Sequence, residues 1–520
     1  MRNTFILALL LAALPLAAQH PKSDDVGEVA FANSGAAEAQ APFRRGLALL
    51  HNFEYQSAAE EFRKAQDVDP SFAMAYWGEA MTMTHPIWFQ QDADGARAVL
   101  QRLGTTPAER LAKAKTERER DYLRAVDVLY GEGSKNERDF KFAEAMGALS
   151  ARYPDDVDAA AFHGLAILGT AHQGRDFGTY MRAAAVLEAV YPTNPRHPGV
   201  LHYLIHSYDD PVHAPLGLRA ARVYGSVAPN AGHALHMTSH IFVAMGMWDD
   251  VIDANRRAVE VVNRQRAARN RQPADCGHYA TWLHYGHLQK NDAGSARKAL
   301  DACRAAALEK PFQSGGPMDS KRGRVDEYAD MRAHHVASGL ALIAADAVTV
   351  PDGAEFLDAR YTVAYGDVLS ASQRKDDAAL KSAVARLRTL HTEVLAAKQK
   401  DDNPSARLRA DVMLQQSEAL LLAAAGKRDE AIALLESAKK IEESMPFDFG
   451  PPVVAKPAAE LLGDHLLAAG RTTEAEAAYR AALSRVPGRT LLVASLENAR
   501  SRAAKAEAGE EKKAAAPHVH

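Results

Sequence analysis

The sequence predicts an all-α protein, a solenoid of roughly ten antiparallel helix pairs stacked side by side. Three observations carry this. Aromatic residues make up only 7% of the 520-residue chain while Ala recurs throughout, a balance that favours helix over sheet. Segments at both ends and in the middle repeat with a period near 34 residues. Clusters of Pro, Gly and Asp, such as Asp352-Gly353 and Gly450-Pro451-Pro452, punctuate apolar runs of helical length. A composition of 47% apolar and 25% charged residues excludes disorder along the whole chain. A net charge of −4 with no long basic block offers no electrostatic footprint for nucleic acid.

The elements follow in order. Met1-Arg2-Asn3 carries one positive charge, Thr4 to Leu16 is almost wholly apolar, and Ala17-Ala18 supplies small residues before Gln19. This is the pattern of a cleaved signal peptide over 1–18, the alternative being an uncleaved anchor. No later stretch is apolar enough to span a bilayer, so the expected compartment is periplasmic or extracellular, with no integral membrane segment after cleavage. Residues 19–39 read as an N-terminal linker. Residues 40–310 read as an N-terminal and central solenoid, with helix pairs near 73–104, 107–152, 157–191 and 277–310. A connector with one helix spans 311–354. Pairs near 355–400 and 405–445 open a C-terminal solenoid over 355–503. Residues 504–520 are low in complexity and read as a disordered tail that includes His518 and His520.

Leu462-Gly463, Leu466, Gly470, Ala475, Tyr479, Ala482 and Pro487 sit at characteristic offsets within one 34-residue unit. Tyr55, Ala58, Phe62, Ala65 and Pro70 match a second, and the run from Gly426 (GKRDEAIALLESAKKI) a third. These residues resemble the tetratricopeptide repeat (TPR) superfamily. The resemblance implies a right-handed solenoid in which helices A and B of each unit bury their apolar faces only by stacking on neighbours. The segments HPGVLHYLIHSYDDP, HALHMTSHIF and YWGEAMTMTHPIW look like those of exported bacterial TPR proteins, a likeness that supplies no reaction. In such a pair, Cys276 would open helix A and Cys303 would lie late in helix B. Antiparallel packing brings those ends together, so a Cys276–Cys303 disulfide is feasible in an oxidising compartment, with two unpaired thiols as the alternative.

The chemistry concentrates in the histidines. Of 21, seven fall between His197 and His240. His202 and His206 are four apart, and so are His236 and His240. Each member of the first pair is 34 residues from its counterpart, 202 to 236 and 206 to 240. An i,i+4 pair shares one helical face, and the repeat sets the two pairs on corresponding faces of neighbouring helices. Four imidazoles on two rigid helices form a candidate site for a divalent transition metal (Zn, Cu, Fe or Ni). His202, His206 and Asp210 continue one stripe, so Asp209 or Asp210 could orient a ring or bind directly. Neither pair has Glu after its first His, which gives a zinc-protease mechanism no support.

By register, the resemblance implies that these positions line the concave groove, together with His233, His163 and His278. His85, at the end of a helix predicted to run to Thr84-His85, is a further groove candidate. His284, His287, His334 and His335 fall at helix-packing positions. Met237, Met245 and Met247 could be soft copper ligands but match core spacing. Phosphate-loop, dinucleotide-fold, nucleophile-elbow and haem motifs do not occur. The expected function is an exported TPR protein whose groove binds a ligand, including a metal held by the two pairs. The alternatives are a metal-free scaffold for a protein, peptide or small ligand, and a metal-dependent hydrolytic or oxidative enzyme.

Overall fold

The computed structural model describes residues 25–313, 320–340, 342, 347–399, 401 and 403–514, with side chains through 505. The signal-peptide segment 1–18, residues 19–24 of the expected linker, and His518 and His520 lie outside the described residues.

Within these bounds the chain is an all-α solenoid of antiparallel helix pairs. The first half contains α1 (Gln40–His51) with α2 (Tyr55–Val68), α3 (Ala73–Met81) with α4 (Ala93–Leu103), a short α5 (Pro107–Lys113), α6 (Glu117–Leu129) with α7 (Lys135–Arg152), and α8 (Val157–Leu168) with α9 (Phe177–Val190). The centre contains α10 (Pro198–Tyr208) with α11 (Ala214–Val227), α12 (Gly232–Ala244) with α13 (Trp248–Ala268), α14 (His278–Gln289) with α15 (Ala293–Arg304), and the single α16 (Lys321–Ala337). The second half contains α17 (Leu357–Gln373) with α18 (Asp377–Ala397), α19 (Ser405–Ala424) with α20 (Arg428–Ser444), α21 (Ala458–Ala468) with α22 (Thr472–Arg485), and a terminal α23 (Thr490–Ala514).

Local chemistry sets these boundaries. Thr106/Glu109, Thr116/Glu119 and Ser134/Glu137 form reciprocal capping boxes that start α5, α6 and α7. Aspartates cap α4, α8, α9, α15 and α18. Within pairs, small residues admit the partner's aromatic ring. A Cβ on Gly463 would lie 2.4 Å from Tyr479, and one on Gly78 would lie 2.4 Å from Phe62. Cys276, just before α14, and Cys303, in α15, are joined as a disulfide, as the antiparallel ends of that pair allow.

Four expectations change. Residues 25–36 of the expected linker pack along the solenoid: Val26, Val29 and Phe31 are buried, Phe31 stacks on Trp77, and Ser34 bonds Glu119. The tail is helical from 504 to Ala514, since its Ala, Glu and Lys carry high helix propensity. Helix α3 stops at Met81. Thr84–His85 instead pairs with Gln90–Gln91 in a small antiparallel ribbon, because Pro86 denies the helix its next amide. The groove around the central histidines is also filled rather than open. The segment between α20 and α21 folds back over it, stacking Phe449 on His240 and seating Gly450 against Trp282.

Candidate metal centre

Helices α10 and α12 are the A helices of the two central units, and both are buried along nearly their whole length. Helix α10 begins where Pro198 supplies a first-turn residue with no amide to satisfy and the His197 ring accepts from the Val200 amide. It ends at Tyr208, one residue before Asp209.

Five imidazoles from these two helices form a closed ring. Centroid separations are 4.9 Å for His202–His206, 5.6 Å for His206–His240, 5.0 Å for His240–His236, 6.0 Å for His236–His233 and 5.1 Å for His233–His202. His202, His206, His236 and His240 are at most 2% exposed. Aromatic side chains wall them in: Phe53 packs on His202, Trp88 on His233, Tyr279 and Trp282 on His236, and Phe449 on His240.

The outward nitrogens are held by acceptors. His202 Nδ1 donates to the His51 carbonyl at 2.6 Å. His236 Nδ1 donates to Asn255 Oδ1 at 2.7 Å, and the Asn255 amide is oriented because its Nδ2 donates to the Val251 carbonyl. His240 Nδ1 donates to Asp209 Oδ2 at 2.9 Å, with His206 Nδ1 3.4 Å from the same oxygen. A carbonyl, an amide oxygen and a carboxylate can only accept, so the protons of His202, His236 and His240 sit on Nδ1 and their Nε2 lone pairs face the interior. Among the described residues, Nε2 of His202, His206 and His233 has no hydrogen-bond partner.

Electrostatics agree with neutral rings. Burial pushes His202, His233 and His236 well below the ordinary imidazole range, and neighbouring imidazoles add to this. Burial also lowers His240, to about 4, against the pull of Asp209. For Asp209, burial alone would raise the carboxyl, but Arg175 and the two histidines hold it below the ordinary carboxylate range. Arg175 pairs with Asp209 and lies over the Tyr180 ring.

The four predicted ligands are therefore together, but not as one set of four. His233, one turn before His236, places its ring between His202 and His236, while His206, Asp209 and His240 also lie within 4.8 Å of one another and join the two sides. His202, His206 and His233 form one triad and His236, His240 and His278 another. Within each triad the candidate ligand atoms lie within 4.8 Å of one another. His233 and His278 thus join the imidazole cluster rather than lining an open groove.

Asp209, not Asp210, faces the imidazoles. The chain leaves the helix after Tyr208, and Asp210 turns to bond the Val212 and His213 amides and the His213 ring. His163 packs instead against Gly147 of α7. His85 lies tilted against Tyr55, with ring centroids 4.1 Å apart, and bonds the Thr82 carbonyl rather than joining either triad. Met237 is core, and His284 and His334–His335 are buried between helices, with His284 3.4 Å from the His335 ring.

Several contributors carried no sequence signal. Arg175, Asn255, Trp282 and Phe449 reach the site only through the superhelical path. His51, Asp158 and His197 form a neighbouring buried network, in which Asp158 Oδ1 accepts from His51 at 2.8 Å and from His197 at 3.2 Å.

No protein-family model matches the chain, and no curated protein matches it. Solved structures similar to it are TPR-repeat proteins. The APC/C hetero-tetramer Cut9–Hcn1 is 12% identical, with coverage of 90% of this chain and 78% of that one and a TM-score of 0.35. Yeast Tom70 is 11% identical over 90% and 96%, with a TM-score of 0.34. Human IFIT1, in a dimer with m7Gppp-AAAA, is 12% identical over 90% and 95%, with a TM-score of 0.36.

Proposed function

We propose that the chain is a metal-binding solenoid whose central histidines hold a transition-metal ion. One observation carries the reading. The Nε2 atoms of His202, His206 and His233 are buried and unpartnered among the described residues, and the three rings bring candidate ligand nitrogens within 4.8 Å of one another. Leaving a polar atom buried and unsatisfied costs about 1–3 kcal/mol, and three such atoms in one cluster would multiply that cost. A cation bound among them satisfies all three. Neutral imidazole suits Zn, Cu, Fe or Ni. Outer acceptors on the far ring nitrogen are the usual support for metal-bound histidine.

Three protein nitrogens leave a coordination position open, the arrangement of ions that activate a ligand rather than brace a fold. This favours a metal-dependent reaction over a purely structural ion. A groove for an extended peptide is the weaker reading, because Phe449 and Gly450 occupy the concave face beside these rings. In this reading the chain is exported. Support comes from the charge and apolar pattern of Met1 to Ala18 and from the Cys276–Cys303 disulfide, a bond that persists in oxidising compartments.

Untagged protein analysed by plasma mass spectrometry after exhaustive dialysis tests the reading. Transition metal should be retained, and His202→Ala should lose at least one equivalent while keeping its helical circular dichroism. Protein that retains no metal and takes none up from added Zn(II) or Cu(II) overturns the proposal.

A further inference from the structure

We infer that His236, His240 and His278 hold a second metal ion, so that the centre is dinuclear. The inference rests on the metal reading of the first triad but draws on different atoms. His236 Nε2 and His240 Nε2 face each other at 3.1 Å. A hydrogen bond at that distance needs a proton on one of them. Both rings have already committed their single neutral-state proton to Nδ1, through Asn255 Oδ1 and Asp209 Oδ2. Two lone pairs left opposed inside an aromatic cage repel, and a cation shared between them turns that repulsion into ligation.

His278 completes the set. Its candidate ligand atom lies within 4.8 Å of those of His236 and His240, and its ring centroid is 4.7 Å from that of His236. Its Nδ1 lies 3.5 Å from Glu327 Oε1, which repeats the outer-carboxylate support seen at His240. The His278 side chain is 41% exposed, so this triad, unlike the first, reaches solvent and provides the route by which ions and small ligands enter.

Asp209 touches a histidine of each triad, His206 at 3.4 Å and His240 at 2.9 Å, and ties the two sites together. Each triad supplies three imidazole nitrogens and no anionic donor, so bound ions carry open positions that anionic or oxygen-donor ligands fill. The ligand class is therefore a small oxygen donor, such as water or hydroxide, that would fill these open positions.

Full-length protein is stripped with chelator and titrated with Zn(II) and, separately, Cu(II). Bound metal is counted after removal of free ions, and the copper form is read by electron paramagnetic resonance. The expected stoichiometry is about two ions per chain, falling to about one in His278→Ala, whose partly exposed position leaves folding intact. The wild-type copper signal should be broadened or lost by coupling, and His278→Ala should show an isolated Cu(II) spectrum. His202→Ala should remove the other ion. One ion per chain, unaffected by His278→Ala, overturns the second site and leaves the first standing. No bound ion in wild-type protein overturns both. Two ions that survive His278→Ala overturn this residue assignment.

Discussion

The properties of the histidine cluster are decided by single groups at its edge. The His51 carbonyl, Asn255 and Asp209 each accept one imidazole proton and so turn a lone pair inward. The same burial makes the apoprotein sensitive to acid. His202, His233, His236 and His240 are held neutral in the fold, with His240 near 4, and burial also lowers His334, to about 3. In the unfolded chain these rings titrate near 6.5. Their folded values lie below their unfolded ones, so the stability they permit is fully present above pH 6.5. It is lost as pH falls from 6.5 toward 4, where the unfolded chain binds protons that the native state refuses. Each such histidine contributes a slope of about 1.4 kcal/mol per pH unit in that window. Urea midpoints of metal-free protein should fall steeply between pH 7 and pH 5, and a flat profile would contradict neutral burial. Bound metal should shift the loss to lower pH, because it must be displaced before the rings can protonate.

At the scale of the helix pair, much was legible. The 34-residue offset between His202 and His236 was visible as spacing alone, and it placed both pairs on corresponding faces of neighbouring helices, which the structure buries in α10 and α12. The Cys276–Cys303 contact followed from antiparallel packing of α14 and α15. What spacing could not supply was the irregular backbone between helices. The expected stripe ran to Asp210, but α10 ends at Tyr208, and the broken helix hands the contact to Asp209. Nor could it show that His233 would wedge between the two pairs, which depends on how closely the two helices approach. The disulfide closes a loop with a sequence separation of 27. The chain-entropy relation puts its contribution at about 3–4 kcal/mol. Cys303→Ser, or wild type in reductant, should unfold at correspondingly lower urea. No change would mean that the α14–α15 pair is held by packing alone.

Over the whole molecule, the solenoid closes on itself. Gly246, in the turn between α12 and α13, and Gly488, between α22 and α23, both have φ near +68°, and they meet backbone to backbone. A Cβ on either would come within 2.9 Å of the other's Cα. Trp248 donates to the Gly488 carbonyl at 2.9 Å. Arg489, 1% exposed, donates to Glu460 at 2.6 Å and lies 3.3 Å from Tyr285 of α14, joining the C-terminal repeats to the central ones. Removing one member of a buried ion pair costs about 3–5 kcal/mol. Arg489→Met should therefore destabilise strongly in urea, and combining it with Glu460→Gln should recover part of the loss. Arg489 also lies 3.3 Å from the carbonyl of Ala455, in the segment that carries Phe449, so if the proposed metal is bound, Arg489→Met should speed its release to a competing chelator. Release at the wild-type rate would show that closure and the centre are independent. Among the described residues, no helix is long and apolar enough to cross a membrane.

Helix formation, pairing of neighbours and recurrence of the imidazoles depend on contacts a few to a few tens of residues apart, and periodic sequence encodes such contacts directly. The sequence by itself therefore determined an α-solenoid with histidines gathered on two adjacent A helices. The division into two triads, the choice of Asp209, and the sealing of the site by Arg175, Trp282 and Phe449 were decided only by the tertiary structure. These contacts depend on how far each helix pair rotates against the next. Small rotations sum along the stack, so residues more than two hundred positions apart meet at angles that no local pattern records.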